Sequence, residues 1–184
     1  SYTVASHEYS LGYAISRKML YTLDAGHFHP TEVISAKISA VLQFLDSVLL
    51  HVSRGVRWDS DHVITLDDEL QRIMDEIVWN GFEKRAFIGL DFFDASIDRI
   101  AAWAIGMRNA RKAILNACLA PADTIRAAEH RGDYTERFAR LEDRKTLPLG
   151  AVWAFYCESK GIPRDGAWLD EVRKYERDVL SARG

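Results

Sequence analysis

Short apolar runs alternate with amphipathic stretches in the first half of the chain. The runs at residues 19–24, 47–52 and 85–91 have the length and composition of buried strands. Between them, residues 31–44 and 67–80 carry apolar side chains at the spacing of one helix face. This order of strand and helix predicts parallel βαβ units in an α/β fold.

The second half of the chain has a helical pattern throughout. Gly132 and Asp133 interrupt one helical segment, and a Gly- and Pro-containing run at 161–166 separates two others. We therefore predict two regions. Residues 1–95 carry the βα units and the candidate site, and residues 96–184 form an all-helical C-terminal region.

Composition narrows the class of protein. The 184 residues are 48% hydrophobic, which is enough for a domain-sized core. A net charge of −3 without a basic run argues against nucleic-acid binding. The sequence shows neither an apolar stretch of about 20 residues nor a secretory signal, so we expect no membrane association. Cys118 and Cys157 indicate free thiols in a reducing cytoplasm.

Side chains that bind metals stand at the end of each predicted strand. Asp24 ends the first strand, His51 lies near the end of the second, and Asp91 ends the third. His27 follows Asp24 in a loop that glycine and proline punctuate. Because the carboxyl ends of parallel strands meet at one rim, we expect these four side chains to lie close together.

The loop after the second strand adds two carboxylates. Asp59 and Asp61 are two residues apart and would face the same side of an extended segment. Their charges repel unless a cation or a proton lies between them. Together with the strand-end residues they could hold two divalent cations. Oxygen and imidazole ligands suit manganese, magnesium or cobalt better than a thiolate-binding ion.

Each candidate residue also has a purely structural interpretation. An Asp-x-Asp pair can be a solvated acidic loop, and Asp24 can cap the segment that follows it. His51 can be a core histidine with satisfied hydrogen bonds, and Asp91 can be a turn former. His29 and His62 are not assigned as ligands. The joint pattern favours a metal site, because the candidates fall at corresponding ends of separate strands.

Four stretches of the sequence are distinctive enough to indicate a family. They are LDAGHFHPTE (23–32), HVSRGVRWDSDH (51–62), IGLDFFDAS (88–96) and WLDEVRKYE (168–176). These stretches resemble the L-rhamnose isomerase family, and the resemblance is to the C-terminal part of the enzyme. It implies a cytoplasmic, homotetrameric (β/α)8 TIM-barrel enzyme that interconverts L-rhamnose and L-rhamnulose. The implied cofactor is Mn²⁺, two divalent cations per complete site, with Mg²⁺, Co²⁺ or Zn²⁺ as alternatives.

The resemblance also implies roles for individual residues. Six positions match metal ligands of the family: Asp24, His51 and Asp91 for the structural ion, and His27, Asp59 and Asp61 for the catalytic ion. Asp91 also matches a carboxylate with a proton-transfer role. The residues that the resemblance makes catalytic are therefore Asp91 and the three ligands of the catalytic ion. The helical C-terminal region is expected to serve barrel packing and subunit contacts.

The sequence departs from the family pattern at its upstream end. A glutamate ligand of the structural ion and the earlier barrel strands have no counterpart in it, and three strands cannot close an eight-stranded barrel. The chain also begins with Ser1 rather than methionine. We therefore interpret it as a processed or partial chain, and we expect the N-terminal part of the same enzyme as its partner.

The predicted function is an aldose–ketose isomerase that transfers hydrogen between C2 and C1 of a sugar. A general base could form an enediol, or the hydrogen could pass directly between the carbons. Since the rim carboxylates are expected to be metal ligands, we favour direct transfer. Two alternatives stay open: another two-metal sugar isomerase or epimerase, and an inactive metal-binding or assembly fragment.

Overall fold

The computed structural model describes residues 6–29, 31–57 and 60–183, which form two compact units. The first unit ends at Cys118 and the second begins at Leu119. The first contains α1 (His7–Arg17), β1 (Tyr21–Asp24), α2 (Ser35–Val41), β2 (Val48–Val52), α3 (Asp68–Trp79), β3 (Ala86–Leu90) and α4 (Arg99–Leu119, its last residue in the second unit). The second contains α5 (Ala122–His130), α6 (Tyr134–Asp143), α7 (Leu149–Ser159) and α8 (Ala167–Tyr175).

The three strands form a parallel sheet in the order β1–β2–β3. The α/β architecture predicted from the sequence is therefore confirmed. Asp24 pairs with His51, and His51 pairs with Gly89. Because side chains alternate between the two faces of a strand, these residues share one face, and Leu23 and Leu50 share the other. Leu23 and Leu50 are fully buried, so the second face is the one that builds the core.

The core of the first unit combines this sheet face with residues of the helices. Ile38 of α2 and Met74 of α3 are completely buried and belong to the same core as Leu50. Helix α4 adds a row of small residues to this core, Ala110, Ala113 and Ala117. The division at residue 95 into a site-bearing region and a helical region stays a prediction.

Helix α3 has the cap and the apolar face that its sequence predicts. The Asp67 carboxylate accepts a hydrogen bond from the Leu70 N–H at 3.0 Å. Leu70, Met74 and Ile77, at helical spacing, are all buried. The chain leaves the helix through Gly81, whose φ of +69° is a left-handed conformation that glycine adopts without strain.

Helix α2 is shorter than the predicted 31–44, and both of its ends are held by other elements. At its start, the Glu69 carboxylate accepts the Ser35 N–H at 3.0 Å and the Ser35 hydroxyl at 2.9 Å. Beyond its end, the Arg85 guanidinium donates to the carbonyls of Leu42 at 2.7 Å and Leu45 at 3.0 Å. Leu42 and Leu45 lie beyond the last residue of the helix, and Arg85 satisfies their carbonyls instead.

The second unit is entirely helical in the part of the chain that the structure describes, as predicted from residue 121 onward. Its buried residues are Ile125, Ala128, Arg144, Trp153, Cys157 and Val172. Cys157 and the exposed Cys118 are both free thiols, as predicted. Across the described ranges, each helix is too short or too polar to cross a membrane.

The Glu69–Ser35 contact generates a stability prediction. Replacing Glu69 with alanine removes the cap of α2, and we expect the free energy of unfolding to fall by about 1 kcal/mol. Burial raises the pKa of Glu69, so its charged form is disfavoured in the fold. Glu69→Gln should therefore cost less, because it keeps an oxygen acceptor and removes the charge. Urea unfolding followed by circular dichroism measures both variants. Equal stability of Glu69→Ala and the unaltered chain would contradict this account of the helix start.

Candidate metal centre

The candidate centre lies at the carboxyl edge of the parallel sheet. Asp24 is the last residue of β1 and pairs with His51 near the end of β2. Gly89 is the partner of His51 on β3, and Asp91 follows the end of that strand. The parallel register therefore brings three strand-end residues from three separate segments to one edge.

The first group of side chains surrounds one ring nitrogen of His51. His51 Nδ1 lies 3.0 Å from Asp24 Oδ2 and 3.1 Å from Asp91 Oδ2. A ring nitrogen carries at most one proton, so it cannot give both carboxylates a full hydrogen bond. One potential ligand atom from each of the three residues lies within 4.8 Å of the others. One cation could therefore be coordinated by all three residues.

The second group is formed by Asp24, His27 and Asp61, with ligand atoms that also lie within 4.8 Å of one another. His27 Nε2 is 3.6 Å from Asp24 Oδ2. His27 sits in a short 3₁₀ turn, Ala25–His27, that follows β1 directly. Asp24 belongs to both groups, so the two groups adjoin each other at this carboxylate.

Burial and charge act together on Asp24. Burial raises the pKa of its carboxyl, and the nearby Asp61 charge raises it further. The hydrogen bonds from His51 and from the Gly26 N–H oppose that rise, as does His27. The net direction is upward, so the chain alone does not fully compensate the negative charge at this position. A bound cation would supply that compensation.

One predicted ligand, Asp59, and two histidines that the sequence does not assign as ligands, His29 and His62, are not part of the two groups that the structure describes. Asp59 lies outside the described residues. His29 Nδ1 bonds the Thr31 hydroxyl at 2.7 Å, and His62 Nδ1 lies 3.7 Å from Asp94 Oδ2. In the described part of the chain, neither histidine belongs to the two groups.

The donor atoms fit the divalent ion that the family resemblance implies. Each group offers two carboxylates and one imidazole, a hard and borderline set without sulfur. Such ligands suit Mn²⁺, Mg²⁺ or Co²⁺, and they also admit Zn²⁺.

The comparison with known proteins decides the family. The profile of L-rhamnose isomerase (RhaA) matches residues 1–183. This chain belongs to the L-rhamnose isomerase family. A protein of Rhodopirellula baltica named L-rhamnose isomerase is 61% identical over 183 residues, which is 100% of this chain and 43% of that protein. A Yersinia pestis protein of the same name is 58% identical, over 100% of this chain and 44% of its own length. The chain thus spans less than half the length of these family members.

Two residues that contact the candidate metal centre were not predicted from the sequence. The Ser53 hydroxyl donates to Asp61 Oδ1 at 2.8 Å, and Gly26 packs against the same carboxylate. The available signals were the position of Ser53 directly after β2 and the glycine between Asp24 and His27. Neither signal identifies a contact until the loop that carries Asp61 has been placed.

Phe92 anchors the chain immediately after Asp91. A Cβ added at Gly106 of α4 would lie 2.4 Å from Cζ of Phe92 and 3.6 Å from Cγ1 of Ile64. The missing side chain of Gly106 therefore makes room for the Phe92 ring. Phe92 therefore packs against α4, and this contact holds the segment that follows Asp91.

This packing predicts the effect of filling the space at Gly106. Gly106→Ala should destabilise the protein by about 1–3 kcal/mol through overpacking against Phe92. Gly12→Ala is the matched control, because Gly12 also lies in a helix and a Cβ there meets no atom within 4 Å. The control should be neutral or stabilising, since alanine favours helix. Thermal melting compares the two, and a Gly106→Ala variant as stable as Gly12→Ala would contradict the packing argument.

Proposed function

We propose that this chain is the C-terminal part of an L-rhamnose isomerase, the aldose–ketose isomerase that interconverts L-rhamnose and L-rhamnulose. The observation that carries the proposal is the convergence of Asp24, His27, His51, Asp61 and Asp91 at one sheet edge in a chain of this family. The chain supplies most of the cation ligands, and the N-terminal part of the same enzyme supplies the remainder.

The open sheet supports a (β/α)8 barrel as the complete fold. On the face that carries Asp24 and His51, the side chains of Thr22 and Leu49 are only partly covered, and Phe87 is 51% exposed. In a barrel this face points inward and is covered by the other strands. We further propose that the complete enzyme is a cytoplasmic homotetramer, with the helical region providing barrel packing and subunit contacts.

The two groups of side chains would bind cations with different roles. Asp24, His51 and Asp91 would hold a structural cation, and His27 and Asp61, with Asp59, a catalytic one. Mn²⁺ is the ion we favour. A bound divalent cation polarises the sugar carbonyl and stabilises charge on the neighbouring oxygen.

The carboxylates at the sheet edge would orient the sugar, and they would not themselves take the hydrogen that moves from C2 to C1. Asp24, Asp61 and Asp91 lose basicity when they bind a cation, so none of them is well suited to take a proton from C2. We therefore favour direct transfer of hydrogen from C2 to C1. We propose that Asp91, whose side chain is 62% exposed, assists proton movement between the hydroxyl groups.

Metal removal tests whether the rim binds cations. A ligand that binds only the native state stabilises it by mass action, so exhaustive chelation should lower the melting temperature. Returning Mn²⁺ should restore it, whereas the same buffer without metal should not. The measurement is differential scanning calorimetry, with elemental analysis to verify removal. An unchanged melting temperature after verified removal would count against a metal centre.

Substitution of Asp61 tests its catalytic assignment. In the complete enzyme, Asp61→Ala should reduce turnover of L-rhamnose by several orders of magnitude and leave the fold intact. Asp123→Asn is the control, because this aspartate is fully exposed on α5 of the second unit and should leave turnover unchanged. Turnover is followed by formation of L-rhamnulose with saturating Mn²⁺. Near-normal activity of Asp61→Ala would remove Asp61 from the catalytic group.

An isotope experiment distinguishes the two routes of hydrogen transfer. L-rhamnose deuterated at C2 is converted by the complete enzyme in ordinary water. Direct transfer predicts that the deuterium is retained at C1 of L-rhamnulose, because the hydrogen never exchanges with solvent. Mass spectrometry of the product measures retention. Extensive loss of deuterium would favour the enediol route and an upstream general base.

A further inference from the structure

The Asp61 carboxylate is held between two uncharged residues from different segments. One is Ser53, just beyond the end of β2, and the other is Gly26, in the turn after β1. Both contact the same oxygen, Oδ1. That arrangement restrains a side chain that also offers a ligand atom to the group Asp24, His27 and Asp61.

Ser53 provides the attractive part of this arrangement. Its side chain is buried, with only 9% of the residue exposed, and its hydroxyl donates to Asp61 Oδ1 at 2.8 Å. A hydrogen bond to a charged acceptor in a buried place is short and strong compared with a neutral one. Ser53 therefore restrains the rotation of the carboxylate about its side-chain bonds.

Gly26 provides the space that the carboxylate occupies. A Cβ at this position would fall 1.7 Å from Asp61 Oδ1 and 2.5 Å from Cγ. Gly26 is not among the glycines of positive φ, so its backbone is in a conformation that alanine can also adopt. What requires glycine here is the neighbouring carboxylate rather than the local backbone.

The backbone of Gly26 also joins the two sides of the centre. Its N–H donates to Asp24 Oδ1 at 3.0 Å, and its carbonyl accepts the Ser60 N–H at 3.2 Å. Gly26 thus touches one carboxylate through a hydrogen bond and the other through close packing. The turn after β1 and the loop that carries Asp61 are consequently held in one arrangement.

We propose that Gly26 and Ser53 are positioning residues that set the cation affinity of the group Asp24, His27 and Asp61. The proposal rests on the proposed function, because it takes this group as a cation site. Alanine at position 26 drives the Asp61 carboxylate away from the group. The carboxylate is the far end of a side chain and can rotate away, and the Ser60 carbonyl oxygen, 3.0 Å from the same Cβ, needs only a small shift, so we expect the fold to survive. Alanine at position 53 leaves the carboxylate in place but removes its restraint.

The experiment measures Mn²⁺ binding to the full-length protein by electron paramagnetic resonance of free Mn²⁺. The unaltered protein should bind two ions. In Gly26→Ala and Ser53→Ala, one ion should bind about 10- to 100-fold more weakly, as is usual when a residue that orients a ligand is removed. The other ion, at Asp24, His51 and Asp91, should change less.

Gly55→Ala is the matched control. A Cβ at Gly55 would lie 3.4 Å from the Ala25 carbonyl oxygen and 4.0 Å from that of Ser60, ordinary contacts with the same two loops. It should bind both ions as the unaltered protein does. Melting of the metal-free proteins verifies folding, and if Gly26→Ala does not fold, Ser53→Ala decides the outcome.

The results separate this inference from the proposed function. Weakening of one ion in the folded variants but not in Gly55→Ala supports the positioning role. Two ions bound with unchanged affinity in the folded variants would overturn the positioning role and leave the metal centre standing. An unaltered protein that binds no Mn²⁺ would overturn both.

Discussion

The parallel register of the three strands is the constraint on which the candidate centre depends. Pairing of Asp24 with His51, and of His51 with Gly89, brings three strand ends to one edge. A shift of one residue would move each of these side chains to the opposite face of the sheet. The buried residues Leu23 and Leu50 prevent that shift, because it would carry them out of the core. Hydrophobic burial on one face therefore determines the chemistry on the other.

The same geometry has an electrostatic cost. Asp24 and Asp61 offer ligand atoms within 4.8 Å of each other, and two unit charges at that distance repel by roughly 3 kcal/mol at an effective dielectric near 20. The chain offsets part of this cost with His51, Ser53 and the Gly26 N–H. A divalent cation would offset the rest, which links the stability of this edge to its proposed function.

Local pattern was sufficient to predict the elements and most of the candidate residues. Asp24, His51 and Asp91 could be found from the sequence because each stands at the end of an apolar run. Asp24 caps the turn that follows it and also serves the candidate centre, because its carboxylate accepts the Gly26 N–H and belongs to both groups.

The start of α2 could not be predicted from local pattern, because it depends on Glu69, 34 residues away. The contacts of Ser53 and Gly26 with Asp61 could not be predicted for the same reason, because they form only when separate loops of the folded chain meet.

We propose that this edge of the sheet binds divalent cations at two adjoining groups of residues. The decisive measurement is diffraction at the manganese absorption edge from a crystal of the complete enzyme grown with Mn²⁺. We expect two anomalous peaks, one among Asp24, His51 and Asp91 and one among Asp24, His27 and Asp61. A map with manganese elsewhere and no peak at either group would contradict it.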